Sequence, residues 1–399
     1  MEVLIAGYPY IKESYFKTFD YYPDGDSIFF LLPERWKAKG GKVVFYPPDR
    51  PNIFKTKALF YHSHYPLIGG VLKGWMPLFP FFLARRKFRI VYSPGEPILL
   101  TTLYQGVWSK IFGLKHIIFT WENVPYEDKF HGLGGLIKKL VLRLNLIFCD
   151  GVICGNKKAA DIIRKFGVKR LNFKTLVCPL SGVDTEYFKP ERNLKTADNH
   201  ELNGKIVYLF AGAIGRRKGI HLIIKAFKRV IDNIPNAHFV LVGSGEYETE
   251  IDELISENKL NDRITRIPWL DKAGLKNIMS VSDIFLYPSM PYGGWEEQFG
   301  YSMAEASLME LPVISTRSGS IEEVVVDPVK SPNGDNEASG RTGILVEPEN
   351  IGQLTDAMIK LAGNSGLRKE LGTNGRKFIS ENYSYKIVAD KFYNFFRSL

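Results

Sequence analysis

Short β-rich runs alternate with segments of helical periodicity along this chain, and the alternation comes in two series with a polar stretch between them. Strands that follow one another across intervening helices run parallel, because only a crossover connection returns the chain to the same end of a sheet. Helices then cover both faces of that sheet. In the first series the strand-like runs are residues 3–6, 43–46, 90–92, 116–119, 151–154 and 175–179, with helices expected over 101–112 and 157–166. In the second they are 206–210, 238–242, 264–267, 284–287 and 311–314, with helices over 218–233 and 246–258. Residues 191–204 have almost no apolar content and read as a linker or exposed loop. The expectation is an α/β protein of two parallel-sheet domains, 1–190 and 205–382, binding ligands in the cleft between them at the carboxyl ends of the strands. A length of 399 residues suits this, being too long for one ordinary core.

The net charge of +10 is unevenly distributed. Residues 1–190 hold 28 Lys and Arg against 15 Asp and Glu, a balance of +13, and the remainder stands at −3. Either the N-terminal half faces something anionic or it is a mildly basic solvated surface. Nucleic acid is not the expected partner, since the basic residues form no arm and no repeated aromatic–basic pattern. Cys149, Cys154 and Cys178 cannot build a disulfide framework and match no zinc spacing, which favours a reducing, cytoplasmic setting. His62 and His64 alternate without further ligands in view, so no metal is assigned.

Residues 1–7 carry no basic segment ahead of their short apolar run, so no signal peptide is read there. The most lipid-like stretch, residues 75–84, contains Pro77 and Pro80 and is about half the length a spanning helix needs. Residues 136–148 place Leu136, Ile137, Leu140, Val141, Leu144, Ile147 and Phe148 at helical spacing around Lys138, Lys139 and Arg143. That pattern reads as core packing, with a membrane-surface helix as the alternative. Residues 67–89 run from Leu67 and Ile68 through Trp75, Met76, Phe79, Phe81, Phe82 and Leu83 into Arg85-Arg86-Lys87-Phe88-Arg89, which fits a peripheral contact with an anionic membrane, the other reading being a buried helix followed by a solvated basic turn.

Three stretches could carry chemistry. After the run 206–210, Gly212-Ala213-Ile214-Gly215-Arg216-Arg217-Lys218-Gly219 leads into a helix. Small residues there let a phosphate approach the backbone, and the helix start and three cations favour an anion. Gly243-Ser244-Gly245-Glu246 repeats the theme weakly. The densest stretch is Tyr287-Pro288-Ser289 followed by Glu297-Gln298-Phe299-Gly300-Tyr301 and Glu305-Ala306. If a helix opens at Gly300, the N–H groups of Phe299, Gly300 and Tyr301 point at an anion, while the carboxylates suit the hydroxyls of a sugar or ribose. The other reading is that both glutamates simply favour the helix dipole.

These stretches, together with Leu311-Pro312-Val313-Ile314-Ser315-Thr316, Gly319 and Glu322-Glu323-Val324, resemble in their order the donor domain of retaining GT-B glycosyltransferases of family 4, also called glycosyl transferases group 1. Gly182-Val183-Asp184 through Phe188-Lys189-Pro190 is similar to the segment that closes the family's N-terminal domain, and Gly343–Val346 to a late donor-domain strand. The likeness covers residues 150–399 well and residues 1–149 only in layout. It implies the GT-B fold: two Rossmann-like domains facing a central cleft, with a last helix over 383–399 crossing back to the N-terminal domain. It also implies a nucleotide-diphosphate sugar as co-substrate, no cofactor and no metal.

Carried over by position, Glu297 faces the donor sugar, Glu305 the ribose, and Lys218 with the N–H groups of Phe299, Gly300 and Tyr301 the diphosphate. Gly212 lies in the phosphate turn, and Arg266 and Ile267 fall where the backbone meets the base. Two positions depart from the family. Its phosphate-binding arginine is Ala213 here, leaving Arg216 or Arg217 to substitute, and its His near the reacting sugar is replaced by Thr120-Trp121-Glu122-Asn123. Glu122 joins Glu297 and Lys218 as a catalytic candidate, and Gly7, Tyr8, Glu96, Trp121 and Asn123 are further acceptor-side candidates.

The expected activity is transfer of a hexose-type sugar to a hydroxyl of a glycan or lipid-linked acceptor, in the cytoplasm or at the cytoplasmic face of a membrane. A nucleotide-sugar epimerase on the same fold, and a catalytically silent membrane- or partner-binding member, are the alternatives.

Overall fold

The computed structural model describes residues 1–37, 44–61, 70–166, 173–190, 202–328 and 340–399. His62, His64, Leu67, Ile68 and most of the expected linker lie outside them. The chain divides into two units, Met1–Gly182 with Tyr385–Leu399, and Val183–Ser384. The first break thus falls at Gly182, ahead of the expected 190, and the second at Ser384, because Val183 pairs with Ser384 in a parallel bridge.

The first unit holds strands β1 (Val3–Ala6), β2 (Ile28–Pro33), β3 (Trp36–Lys37), β4 (Val44–Phe45), β5 (Ile53–Thr56), β6 (Ile90–Ser93), β7 (Lys115–Thr120), β8 (Gly151–Cys154) and β9 (Lys174–Val177). Seven of them form a parallel sheet in the order β5-β2-β1-β6-β7-β8-β9. Successive residues of a strand point to opposite faces, so β1 sends Val3 and Ile5 into one apolar cluster and Leu4 and Ala6 into another. The cluster around Val3 is completed from far along the chain. Val388, Phe392, Phe395 and Phe396 of the helix Tyr385–Arg397 fill it, with Phe392 stacked on Phe19 at 5.5 Å.

Two expectations for this unit are corrected. Residues 44 and 45 make only a short antiparallel ribbon with β3, and the sheet positions belong to β2 and β5. Val44 and Phe45 are half-buried, whereas every residue of β2 is buried, as a strand covered on both faces requires. The apolar residues of 75–89 turn inward: Met76, Phe79, Leu83 and Phe88 are buried against β1, β2 and β6, while Leu78 and Phe81 stay exposed.

The second unit holds β10 (Ile206–Ala211), β11 (Ala237–Val242), β12 (Ile264–Ile267), β13 (Ile284–Tyr287), β14 (Val313–Thr316) and β15 (Gly343–Val346), all parallel, in the order β12-β11-β10-β13-β14-β15. The chain moves outward from β10 to β12, then crosses back to β13 on the other side of β10. Connections therefore leave opposite faces at β10 and β13, and a crevice opens at their carboxyl ends. Behind β10, a tight turn at Arg216–Lys218 precedes the helix Ile220–Asn233, so the helix begins two residues later than expected. Gly219 makes the junction in the left-handed region at φ 67°, and a Cβ there would sit 2.1 Å from the Pro288 carbonyl oxygen. Only glycine lets the segment after β10 touch the segment after β13.

Phe392 is fully buried in the first unit's core. Phe392→Ala is expected to cost about 3–5 kcal/mol, read as a shift of the denaturant midpoint with the slope unchanged.

Candidate functional site

The crevice at β10 and β13 gathers the residues singled out from sequence. Lys218 Nζ lies 2.5 Å from Glu297 Oε2, and Arg217 reaches the same oxygen at 3.1 Å. The Tyr287 hydroxyl donates to Glu297 Oε2 at 3.0 Å, Lys218 also donates to the Tyr287 oxygen, and Arg217 donates to Ser289 Oγ at 3.3 Å. Lys218 and Glu297 are both buried. Burial alone would raise the Glu297 carboxyl, but Lys218, Arg217 and the hydrogen bonds from Lys218 and Tyr287 outweigh it and hold the pKa at about 2. Burial lowers the Lys218 ammonium and Arg217 lowers it further, against the pull of Glu297. Two cations and one carboxylate thus leave an excess positive charge in a desolvated place.

Backbone contacts fix Glu297 from below. Ser320 N–H donates to its carbonyl at 2.9 Å, and Gly319, at φ 59°, lets the chain approach where a Cβ would stand 2.2 Å from that oxygen. The sequence left Arg216 and Arg217 as equal substitutes for the missing arginine. Arg217 is the one on Glu297, while Arg216 lies over the Tyr292 ring at 5.5 Å. In the sequence Tyr287 and Ser289 stand only as part of a motif; the parallel pairing of β13 beside β10 aims them at the cluster.

Gly300 caps the helix Tyr301–Leu308 in the left-handed conformation with no side chain capping its start. Glu305 lies one turn inside that helix. Burial is the main cause that raises its pKa to about 7, with Asp184 adding and Lys272 opposing. Gly212 follows β10 and donates to the Val242 carbonyl at 3.1 Å. Arg266 pairs with Asp252, and the Ile267 carbonyl accepts from Gly243 at 2.9 Å. Neither side chain joins the cluster.

The first unit repeats the topology, with its crevice at the ends of β1 and β6. Gly7 follows β1 and packs so closely on Pro94 that a Cβ would meet the ring at 2.8 Å. Glu96 follows β6 and accepts from Thr120 Oγ1 at 2.7 Å and Trp121 N–H at 2.8 Å. Its burial outweighs those hydrogen bonds and raises its pKa to about 7, with Glu122 adding. Glu122 itself forms a buried ion pair with Lys129 at 2.6 Å and accepts from Val124 N–H at 3.3 Å. Trp121 fills the space over Gly155, and Asn123 is buried.

Tyr8 stacks on buried Trp36 at 4.0 Å, with Lys73 over both rings at 4.7 and 5.7 Å. Lys12 lies over the Tyr15 and Phe45 rings, and its ammonium is lowered by burial and by Lys73. Among the described residues neither Lys12 nor Lys73 has an ion-pair partner. Trp36 and Lys73 carry no motif, and only the fold brings them to Tyr8.

Residues 192–378 match the family described as glycosyl transferases group 1. Over 217 residues the chain is 29% identical to the capsular polysaccharide biosynthesis glycosyltransferase CapM of Staphylococcus aureus, which covers 53% of this chain and 51% of that protein. Over 224 residues it is 27% identical to a GDP-mannose-dependent monoacylated alpha-(1-6)-phosphatidylinositol monomannoside mannosyltransferase of Corynebacterium glutamicum, 55% of each chain being covered. The match therefore spans about half the length of these relatives. Among solved structures, HepE of Anabaena in complex with UDP superposes over 100% of both chains with a TM-score of 0.75 at 16% identity. A sucrose-phosphate synthase from Thermosynechococcus elongatus superposes with a TM-score of 0.74 at 17% identity, covering 100% of this chain and 99% of that one. The fold is GT-B.

Glu305 supplies a pH test. Its folded-state pKa of about 7 exceeds the ordinary 4.5, so the folded chain keeps a proton that the unfolded chain loses. That stabilisation is complete below pH 4.5 and lost as pH rises to 7. The Tm of Glu305→Gln is expected to gain on wild type between pH 5 and pH 8, measured by calorimetry in matched buffers.

Proposed function

We propose that this chain, a GT-B protein carrying a glycosyl transferases group 1 domain, is a retaining, metal-independent glycosyltransferase. It moves a hexose-type sugar from a nucleotide-diphosphate sugar to a hydroxyl of a glycan or lipid-linked acceptor. The observation that carries the reading is the buried Lys218–Glu297 pair, joined by half-buried Arg217, at the crevice of the second unit. When a glycosidic bond to a diphosphate breaks, negative charge grows on the departing oxygen. Cations fixed beforehand in a desolvated place stabilise that charge without reorganising. Glu297 raises the Lys218 ammonium against its burial and holds both cations in position, and in this reading it also faces the donor sugar. Glu305, one turn along the next helix, would take the ribose hydroxyls. HepE was solved with UDP, and the corynebacterial relative is named for GDP-mannose, which supports a nucleotide-sugar donor here.

Retention would follow from attack by the acceptor hydroxyl on the face from which the diphosphate leaves, with that diphosphate taking the proton. On the acceptor side, Lys73 over Tyr8 and Trp36, with Lys12 near enough to Lys73 to be lowered by it, offers cations to an anionic group and a ring face to a sugar. With the +13 balance of residues 1–190, this favours an acceptor carrying phosphate at a membrane, on the cytoplasmic face.

A thermal-shift panel with UDP-glucose, UDP-N-acetylglucosamine and GDP-mannose tests the donor, since a ligand at 100 times its Kd stabilises by about 2.7 kcal/mol. Lys218→Ala and Glu297→Gln are each expected to lower kcat by about 10²–10³, with circular dichroism unchanged. Full turnover in both, at unchanged donor affinity, overturns the site. Lys73→Ala is expected to raise the acceptor KM while leaving donor Kd untouched; an equal loss of donor binding would remove the acceptor assignment.

A further inference from the structure

The helix Gly132–Phe148 is apolar on two sides. Val141, Leu142 and Leu146 are buried with β7 and β8, as a core helix requires. On the other side Leu133, Leu136, Ile137, Leu140 and Ile147 are 75, 65, 50, 56 and 53% exposed. At roughly 100° per residue these five fall on one face about 100° wide, the width of stripe by which a helix normally packs on its core. The expectation that this periodicity is ordinary core packing holds for one face and fails for the other.

Charge indicates what covers the open face. The helix contains Lys138, Lys139 and Arg143 and no acidic residue. Lys138 lies over the Phe130 ring at 4.4 Å and Arg143, itself exposed, over Phe166 at 5.6 Å. None of the three pairs with a carboxylate among the described residues. Two copies meeting on this face would bring their cations together with no carboxylate on either helix to receive them. A protein partner is usually gripped by aromatic or Met anchors, whereas every large apolar side chain exposed on this helix is aliphatic. A bilayer carrying anionic lipid satisfies both features, taking aliphatic side chains below the headgroups and cations among the phosphates. No helix among the described residues is long and apolar enough to cross a membrane, so the contact lies along the surface.

We propose that the helix Gly132–Phe148 seats this protein on an anionic bilayer, with Leu133, Leu136, Ile137, Leu140 and Ile147 in the acyl boundary and Lys139 and Arg143 at the headgroups. The seat rests on and deepens the membrane-borne reading of the acceptor, and it is preferred to residues 67–89 because the core takes Met76, Phe79, Leu83 and Phe88 there.

The test is sedimentation of the full chain with vesicles of phosphatidylcholine alone or mixed equally with phosphatidylglycerol, without donor or acceptor. Failure there leaves the transferase reading standing. Wild type is expected to pellet with the mixed vesicles and to be released by salt. The triple variant Leu136→Ser, Ile137→Ser, Leu140→Ser alters exposed positions only, and its partition should fall about tenfold or more with an unchanged Tm. Lys139→Gln with Arg143→Gln should weaken binding to the mixed vesicles alone. Equal sedimentation of wild type and triple variant overturns the proposal, as does a soluble dimer, seen by light scattering, that the triple variant abolishes.

Discussion

The contact between Lys218 and Glu297 governs the second unit, because each is a charge that burial would otherwise forbid. Breaking such a pair from one side typically costs about 3–5 kcal/mol, the cost of an uncompensated buried ion. Three segments must therefore be correctly placed at once. The turn after β10 presents Lys218 and Arg217, the loop after β13 carries Glu297, and Gly319 and Ser320 after β14 hold the Glu297 backbone. Gly219, in contact with Pro288, ties the first two together. The strand order that opens the crevice and the ion pair that fills it are parts of one arrangement.

The two units answer the same topological opening differently. At the ends of β10 and β13 a carboxylate is held ionised by two cations. At the ends of β1 and β6 the Glu96 carboxyl is held by hydrogen bonds from Thr120 and Trp121 and, among the described residues, has no ion-pair partner, Lys129 pairing with Glu122 and acting on Glu96 only from a distance. Glu96 therefore exchanges its proton near neutrality, whereas Glu297 does not. One crevice is built for a fixed charge, the other for a group that can change its charge.

Much of this was legible in the sequence because parallel strands buried on both faces read as continuous apolar runs, as at Ile206–Ala211 and Ile284–Tyr287. The strands β2 and β5 escaped notice while 43–46 looked like a strand, since pattern alone cannot say which short run finds neighbours. Lys218, Glu297 and Glu305 could be picked out by spacing within a motif. The choice between Arg216 and Arg217 could not, because it depends on how one tight turn rotates two adjacent side chains. Trp36, Lys12 and Lys73 were invisible for a different reason: they come from separate segments and share nothing but a place in the folded unit. On the helix Gly132–Phe148 the periodicity shows two apolar faces, and only the packing around it reveals which of them the protein leaves open.

The helix Tyr385–Arg397 belongs to the first unit although the chain reaches it only after traversing the second. Phe392 and Phe396 lie against Phe19, Tyr22 and Tyr92, three hundred or more positions earlier. A ribosome therefore releases every residue of Val183–Ser384 before the cluster around Val3 can close. The half that is translated first is completed last, and until then its open aromatic cluster is what a chaperone would find.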